Sequence, residues 1–204
     1  MTERREDVEL KREGPERTEP FILQVAGYKN TGKTTWLTGL IHQLNEQGIR
    51  SAVIKHDAHS FDMDHPGTDT FKLREAGAVG VAITSAKRTA IIEEYDTSLE
   101  ELIAVFSHSG RYDCIFIEGF KQADYPKLVM IRQETDLVLL DSLMQVIGAV
   151  YATDCQKLVS SRAADIMLYE YSKPKLAADW IVDKLKGNSS KTHKAGLRHQ
   201  HDAQ

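Results

Sequence analysis

Eight consecutive residues, Gly27-Tyr28-Lys29-Asn30-Thr31-Gly32-Lys33-Thr34, satisfy the pattern G-x-x-x-x-G-K-[ST] in full. Each fixed position answers a need of a polyphosphate. Gly27 lets the chain leave a strand sharply, and Gly32 lets main-chain amides approach an anion without a Cβ in the way. The amides of Gly32, Lys33 and Thr34 are expected to face the phosphates from the positive end of the helix they open. Lys33 is placed to give a point charge to the β- and γ-phosphates and Thr34 to ligate Mg²⁺ through its hydroxyl. Thr35 is placed for the α-phosphate, and Asn30 and Thr31 complete the cradle. A Gly-rich turn can match such a pattern by chance. Here it lies between an apolar strand signal, residues 21–26, and a helical spacing of Trp36, Leu37, Leu40, Ile41 and Leu44, which is the context the loop requires.

Such a loop works with a carboxylate at the end of another buried strand. Cys114-Ile115-Phe116-Ile117-Glu118-Gly119 offers one: an apolar run ending in Glu118 and released by Gly119. A catalytic and metal-holding role for Glu118 stands against the plainer reading of a polar strand end facing water. Residues 56–65 hold six aspartates and histidines, His56, Asp57, His59, Asp62, Asp64 and His65, directly after a second strand. The spacing matches no zinc pattern and no cysteine is near. Asp57 is therefore read as a magnesium ligand or water-positioning group, and Asp69 either as functional or as a helix-stabilising residue.

These side chains need a scaffold. Strand signals fall at 21–26, 51–55, 79–84, 89–93, 114–117, 128–131 and 146–151. Helical signals fall at 33–47 and 68–76, after Ser98 with its capping partner Glu101, and at 174–186, where Leu176, Trp180, Ile181 and Leu185 are expected to face inward. Alternation of this kind predicts an α/β, three-layer P-loop NTPase fold, a mainly parallel sheet with helices on both faces and ligands at the carboxyl ends of its strands. Residues 1–20 and 187–204 are polar and aperiodic and read as disordered tails around a nucleotide-binding domain at 21–186.

Composition sets bounds. With 204 residues, 41% hydrophobic, 27% charged and a formal net charge of -4, the chain suits one α/β domain and not a nucleic-acid-coating protein. The two cysteines, Cys114 and Cys155, are far apart in apolar surroundings and read as buried free thiols. No apolar stretch is long enough for a membrane helix, and the charged N-terminus is no secretory signal. A cytoplasmic protein without membrane or nucleic-acid partners is expected.

GYKNTGKTT, IKHDAHSFDMDHPGTDTFKLREAGA, and FIEGFK followed by PKLVMIR together resemble the molybdopterin-guanine dinucleotide biosynthesis adaptor family, MobB, over most of residues 21–155. The phosphate loop alone is shared by many unrelated families; the middle motif joined to EGFK is far more specific. The resemblance implies a dimeric GTP-binding adaptor with weak GTPase activity and Mg²⁺. Its partner would be the guanylyltransferase that joins GMP to molybdopterin, and molybdopterin itself is a further candidate. It carries the phosphate-binding role to Gly32, Lys33, Thr34 and Thr35 and the acidic role to Glu118. Arg88, in a Ser-x-x-Arg step from Ser85, is assigned to phosphate or partner. No Asn-Lys-x-Asp guanine reader is present. Asp154, in a Thr-Asp step the family shares, is either an acceptor for guanine N–H groups or a turn-initiating residue. Two other classes stay open: a P-loop small-molecule kinase, although no arginine-rich lid is evident, and a module that holds nucleotide without cleaving it.

Overall fold

The computed structural model describes residues 19–57, 61–162 and 165–187. Six strands form one wholly parallel sheet: β1 (Phe21–Ala26), β2 (Ser51–Lys55), β5 (Cys114–Glu118), β6 (Lys127–Ile131), β7 (Val146–Tyr151) and β8 (Met167–Glu170), in the order β2-β5-β1-β6-β7-β8. Two further strands, β3 (Gly80–Thr84) and β4 (Thr89–Glu93), pair antiparallel in a separate ribbon.

Every residue of β5 and of β6 is buried, as expected for strands covered on both faces. Period-two alternation sends Leu23, Val25, Cys114, Phe116, Leu128 and Met130 to one face. There they meet Trp36, Leu37, Leu40 and Leu44 of α1 (Lys33–Glu46) and Ala177, Ala178, Trp180, Ile181 and Val182 of α6 (Pro174–Leu185). The opposite face is covered by Leu99 and Ile103 of α3 (Leu99–His108), and by Leu139 of α4 (Val138–Ser142) and Val159 of α5 (Gln156–Arg162). The result is the expected three-layer fold.

Local chemistry explains the elements the sequence revealed. Ser98 and Glu101 form the reciprocal capping box that starts α3, with the Ser98 amide donating to Glu101 across 2.9 Å. Thr68 caps α2 (Asp69–Glu75), accepting from the Phe71 amide, so Asp69 occupies the first turn. Pro174 opens α6. Both cysteines are buried and free, and burial pushes the Cys114 thiol up to about 12.

Some expectations need correction. Leu176 is 55% exposed and Leu185 lies at the solvent edge; α6 turns its small residues Ala177 and Ala178 inward, because they allow close approach to α1. The four-residue strand β8 and the short helices α4 and α5 carried too little periodicity to be read. Residues 1–18 and 188–204, most of the two predicted tails, lie outside the described residues, as do 58–60.

The centre of the sheet should dominate stability. Replacing the fully buried Phe116 of β5 with alanine is expected to cost about 3–5 kcal/mol through lost transfer energy and a residual cavity. Urea unfolding followed by far-UV circular dichroism checks this; a loss below about 1 kcal/mol would mean the centre collapses around the gap.

Candidate functional site

At the carboxyl edge of the sheet, β1 ends at Ala26 and the chain passes through Gly27 into the loop. Asn30 adopts a left-handed backbone with φ of 64°, and Gly32, with φ of 82°, takes the N-cap position of α1. An alanine Cβ at Gly32 would lie 2.5 Å from the Tyr171 hydroxyl, so the absent side chain is required by both backbone and neighbour. α1 has no side-chain cap and no acidic residue in its first turn, leaving its terminal amides and positive dipole end without a protein carboxylate on the helix itself. Thr31 is buried, its hydroxyl donating to the Tyr28 carbonyl over 2.9 Å and closing the loop on itself.

Lys33 and Thr34 open α1. The Lys33 ammonium donates to the carbonyls of Tyr28 at 2.6 Å and Gly27 at 3.3 Å. Burial holds it below the usual lysine range; Glu118 pulls it back up, while Lys121 and Lys55 push it further down. The Thr34 hydroxyl donates to Glu118 Oε1 at 2.7 Å, joining two residues 84 positions apart. Glu118 itself is buried at the end of β5, and Lys55 Nζ stands 3.6 Å from the same oxygen. Lys55 and Glu118 are direct register partners of β2 and β5.

The paired hydroxyl and carboxylate fit a magnesium ion that keeps several waters and takes its other ligands from phosphate, which is how this ion is usually held. Among the described residues no group of three or more His, Cys, Asp or Glu gathers as a self-sufficient metal cage. Asp57 lies exposed two residues beyond β2 and is not part of such a group. Thr35 is exposed at the start of α1.

The remaining predicted residues are placed elsewhere. Asp154 is exposed in a short 3₁₀ turn, Thr153–Cys155, directly after β7, at the same edge of the sheet as the loop. Its neighbour Thr153 donates to Glu170 at 3.1 Å. Arg88 sits exposed in the turn between β3 and β4, where its backbone is tied to Ser85, and it makes no described contact with the phosphate loop.

Several residues escaped sequence reading. Tyr171, just after β8, lies against Gly32 and donates to its carbonyl at 3.4 Å, while the Arg132 guanidinium stacks 4.5 Å from the Tyr171 ring centre. A cleft of about 350 Å³ lies between residues 28–31 of the loop and residues 132–136 beyond β6. Buried Asp136 on its wall accepts from the amides of Arg132 and Gln133. The apolar run Ile166–Tyr169 before Ser172 and Pro174 was the one available signal for β8 and hence for Tyr171.

Gly32→Ala should cost about 1–2 kcal/mol for the left-handed backbone, with a further loss from displacing Tyr171. Adding Tyr171→Ala should recover the steric part alone in thermal unfolding; full recovery would show that backbone conformation is irrelevant there.

Comparison with known proteins gives a consistent result. The family model described as molybdopterin guanine dinucleotide synthesis protein B matches residues 22–153. A probable molybdopterin-guanine dinucleotide biosynthesis adapter protein of Bacillus subtilis (strain 168) is 30% identical over 174 residues, covering 84% of this chain and 97% of its own. The Escherichia coli (strain K12) molybdopterin-guanine dinucleotide biosynthesis adapter protein is 38% identical over 114 residues, 54% of this chain and 65% of its own. Among solved structures, Bacillus subtilis MobB superposes with a TM-score of 0.65 at 28% identity, over 81% of this chain and 98% of that one.

Proposed function

The chain belongs to the molybdopterin guanine dinucleotide synthesis protein B family, and from that membership we propose that it is a GTP-binding adapter in the assembly of molybdopterin guanine dinucleotide. The observation that carries the nucleotide reading is the contact between Thr34 and Glu118 at 2.7 Å, at the opening of α1 and beside the left-handed Gly32. A phosphate loop, a lysine and a hydroxyl–carboxylate pair at one strand edge form a complete set for a magnesium triphosphate.

In this reading the amides of Gly32, Lys33 and Thr34 hold the phosphates and Lys33 leaves its loop carbonyls for the β- and γ-oxygens. Thr34 and Glu118 hold Mg²⁺, which supplies charge neutralisation when bound. Guanine preference comes from family likeness, with Asp154 the candidate base reader at the end of β7. No catalytic glutamine or arginine finger stands out in the sequence, so hydrolysis is slow and the protein acts chiefly beside a guanylyltransferase, delivering GTP or cofactor in the cytoplasm. Among the described residues no helix is long and apolar enough to cross a membrane.

Isothermal titration should show GTP binding that is tighter than ATP and strengthened by Mg²⁺. Lys33→Ala should weaken it by at least about a hundredfold, in line with losing a charge-assisted phosphate contact. Glu118→Gln should remove most of the magnesium dependence while leaving nucleotide affinity without the metal. Equal or stronger binding of ATP would overturn the guanine assignment.

A homodimer belongs to the same proposal. The β3–β4 ribbon exposes Ile83 (56%) on one face, Ile91 (66%) on the other and Val79 (70%) beside them, and a two-stranded ribbon is marginal alone. A second copy covering it would satisfy both its apolar side chains and its open edges. Light scattering at micromolar concentration should report a dimer for the wild type and a monomer for the double variant Ile83→Lys, Ile91→Lys; a wild-type monomer would remove the proposal.

A further inference from the structure

We propose that Lys121, seconded by Lys55, senses the terminal phosphate and so lets this protein distinguish a nucleoside triphosphate from a diphosphate. The inference rests on the triphosphate reading above and concerns residues that reading leaves without a role.

Lys33 lies within electrostatic reach of one buried carboxylate, Glu118, and of two further ammonium groups, Lys121 and Lys55. Lys33 comes from the loop, Lys55 stands 3.6 Å from Glu118 at the end of β2, and Lys121 arrives three residues after Glu118. The path of the chain between Glu118 and Lys121 is built for that arrival. Gly119, with φ of 96°, presses so closely on His56 that a Cβ would lie 3.1 Å from the His56 Cβ and 3.3 Å from its carbonyl oxygen. Phe120 follows with φ of 47°, a backbone that a bulky side chain rarely adopts, and its ring packs 4.7 Å from the His56 ring. Buried Gln24 of β1 donates its amide to the Gly119 carbonyl at 2.6 Å and the Phe120 carbonyl at 2.7 Å. Backbone strain held in place by several neighbours is the pattern expected where position serves function.

That turn sets Lys121 Nζ 4.4 Å from the centre of the Tyr28 ring, while the Tyr28 carbonyl accepts from Lys33. One loop residue thus contacts both ammonium groups, through its ring and through its backbone. The cation–π contact to the exposed Tyr28 ring is weak, so Lys121 can exchange the ring for an anion. Lys33 with the Lys121 and Lys55 charges acting on it outnumbers the one carboxylate that does, and an anion of more than one charge balances the three best.

Geometry selects which phosphate. Thr34 and Glu118 would hold Mg²⁺, which would supply charge neutralisation to the end of a bound triphosphate. The amides opening α1 take the phosphates nearer the sugar. Lys55 ends β2 and Lys121 follows β5, both on the Glu118 side of the sheet edge, and in this proposal they take the last phosphate. They would supply from within the chain the positive charge that other enzymes of this kind draw from an arginine.

The test is a pair of titrations, with GTP and with GDP in Mg²⁺, on the full chain and on Lys121→Ala, Lys121→Arg and Lys55→Ala. Lys121→Ala should weaken GTP at least tenfold and change GDP less than twofold, Lys121→Arg should retain most of the preference, and Lys55→Ala should show a smaller loss of the same kind. Retained GDP binding also reports an intact fold. If GTP and GDP weaken alike, or neither changes, the assignment of Lys121 is wrong and the triphosphate reading stands. If the unaltered chain binds neither nucleotide, both fall.

Discussion

The parallel pairing of β1 with β5 is the constraint on which the rest depends. Because both strands run the same way, their carboxyl ends share one edge, and the register that sets Val25 opposite Glu118 brings the carboxylate to the residue where the loop begins to leave the sheet. β2 continues the arrangement by pairing Lys55 with Glu118. Antiparallel pairing would send one of these groups to the far edge. Parallel strands require long returns, and the chain supplies them as helices on both faces, so the layering and the site follow from one choice.

The charge balance at that edge is deliberate in a physical sense. Burying Glu118 costs free energy unless it is hydrogen-bonded and paired, and Thr34 and Lys55 provide both. Lys33 in turn feels Lys121 and Lys55 as well as Glu118. Burial first, and then the nearby Lys121 and Lys55, lower the affinity of Lys33 for its proton. The loop carbonyls that accept from Lys33 hold the ammonium within the loop, and Asn30 and Gly32 there take left-handed backbones.

The β3–β4 ribbon and α2 obey a different logic. In the main sheet, apolar side chains meet helices; in the ribbon Ile83 and Ile91 meet solvent. Arg74 ties this region together through Asp62, Asp64 and Glu94, a polar clasp doing the work of a core. The two parts are built differently: a sheet edge backed by helices, and a ribbon whose apolar faces are exposed.

The sequence by itself determined the loop, the acidic strand end, the long amphipathic helices and the layered class, because each depends on local spacing: period two, period 3.6, a cap, or a fixed run of glycines and lysine. It also marks Glu118 as a carboxylate at the end of an apolar strand, and so as a candidate. Only the tertiary structure decided what depends on strand order. It placed Lys55 beside Glu118 and Lys121 over the Tyr28 ring, set Tyr171 against Gly32, turned Ala177 and Ala178 inward in place of Leu176, and left Arg88 in a ribbon turn. β8, only four residues long, had no period to display, and the groups it delivers could not be seen without it. Spacing along a chain records which residues share a face of one element; which elements become neighbours is settled by burial of the whole sheet, and the outer parts of the site are made by those neighbours.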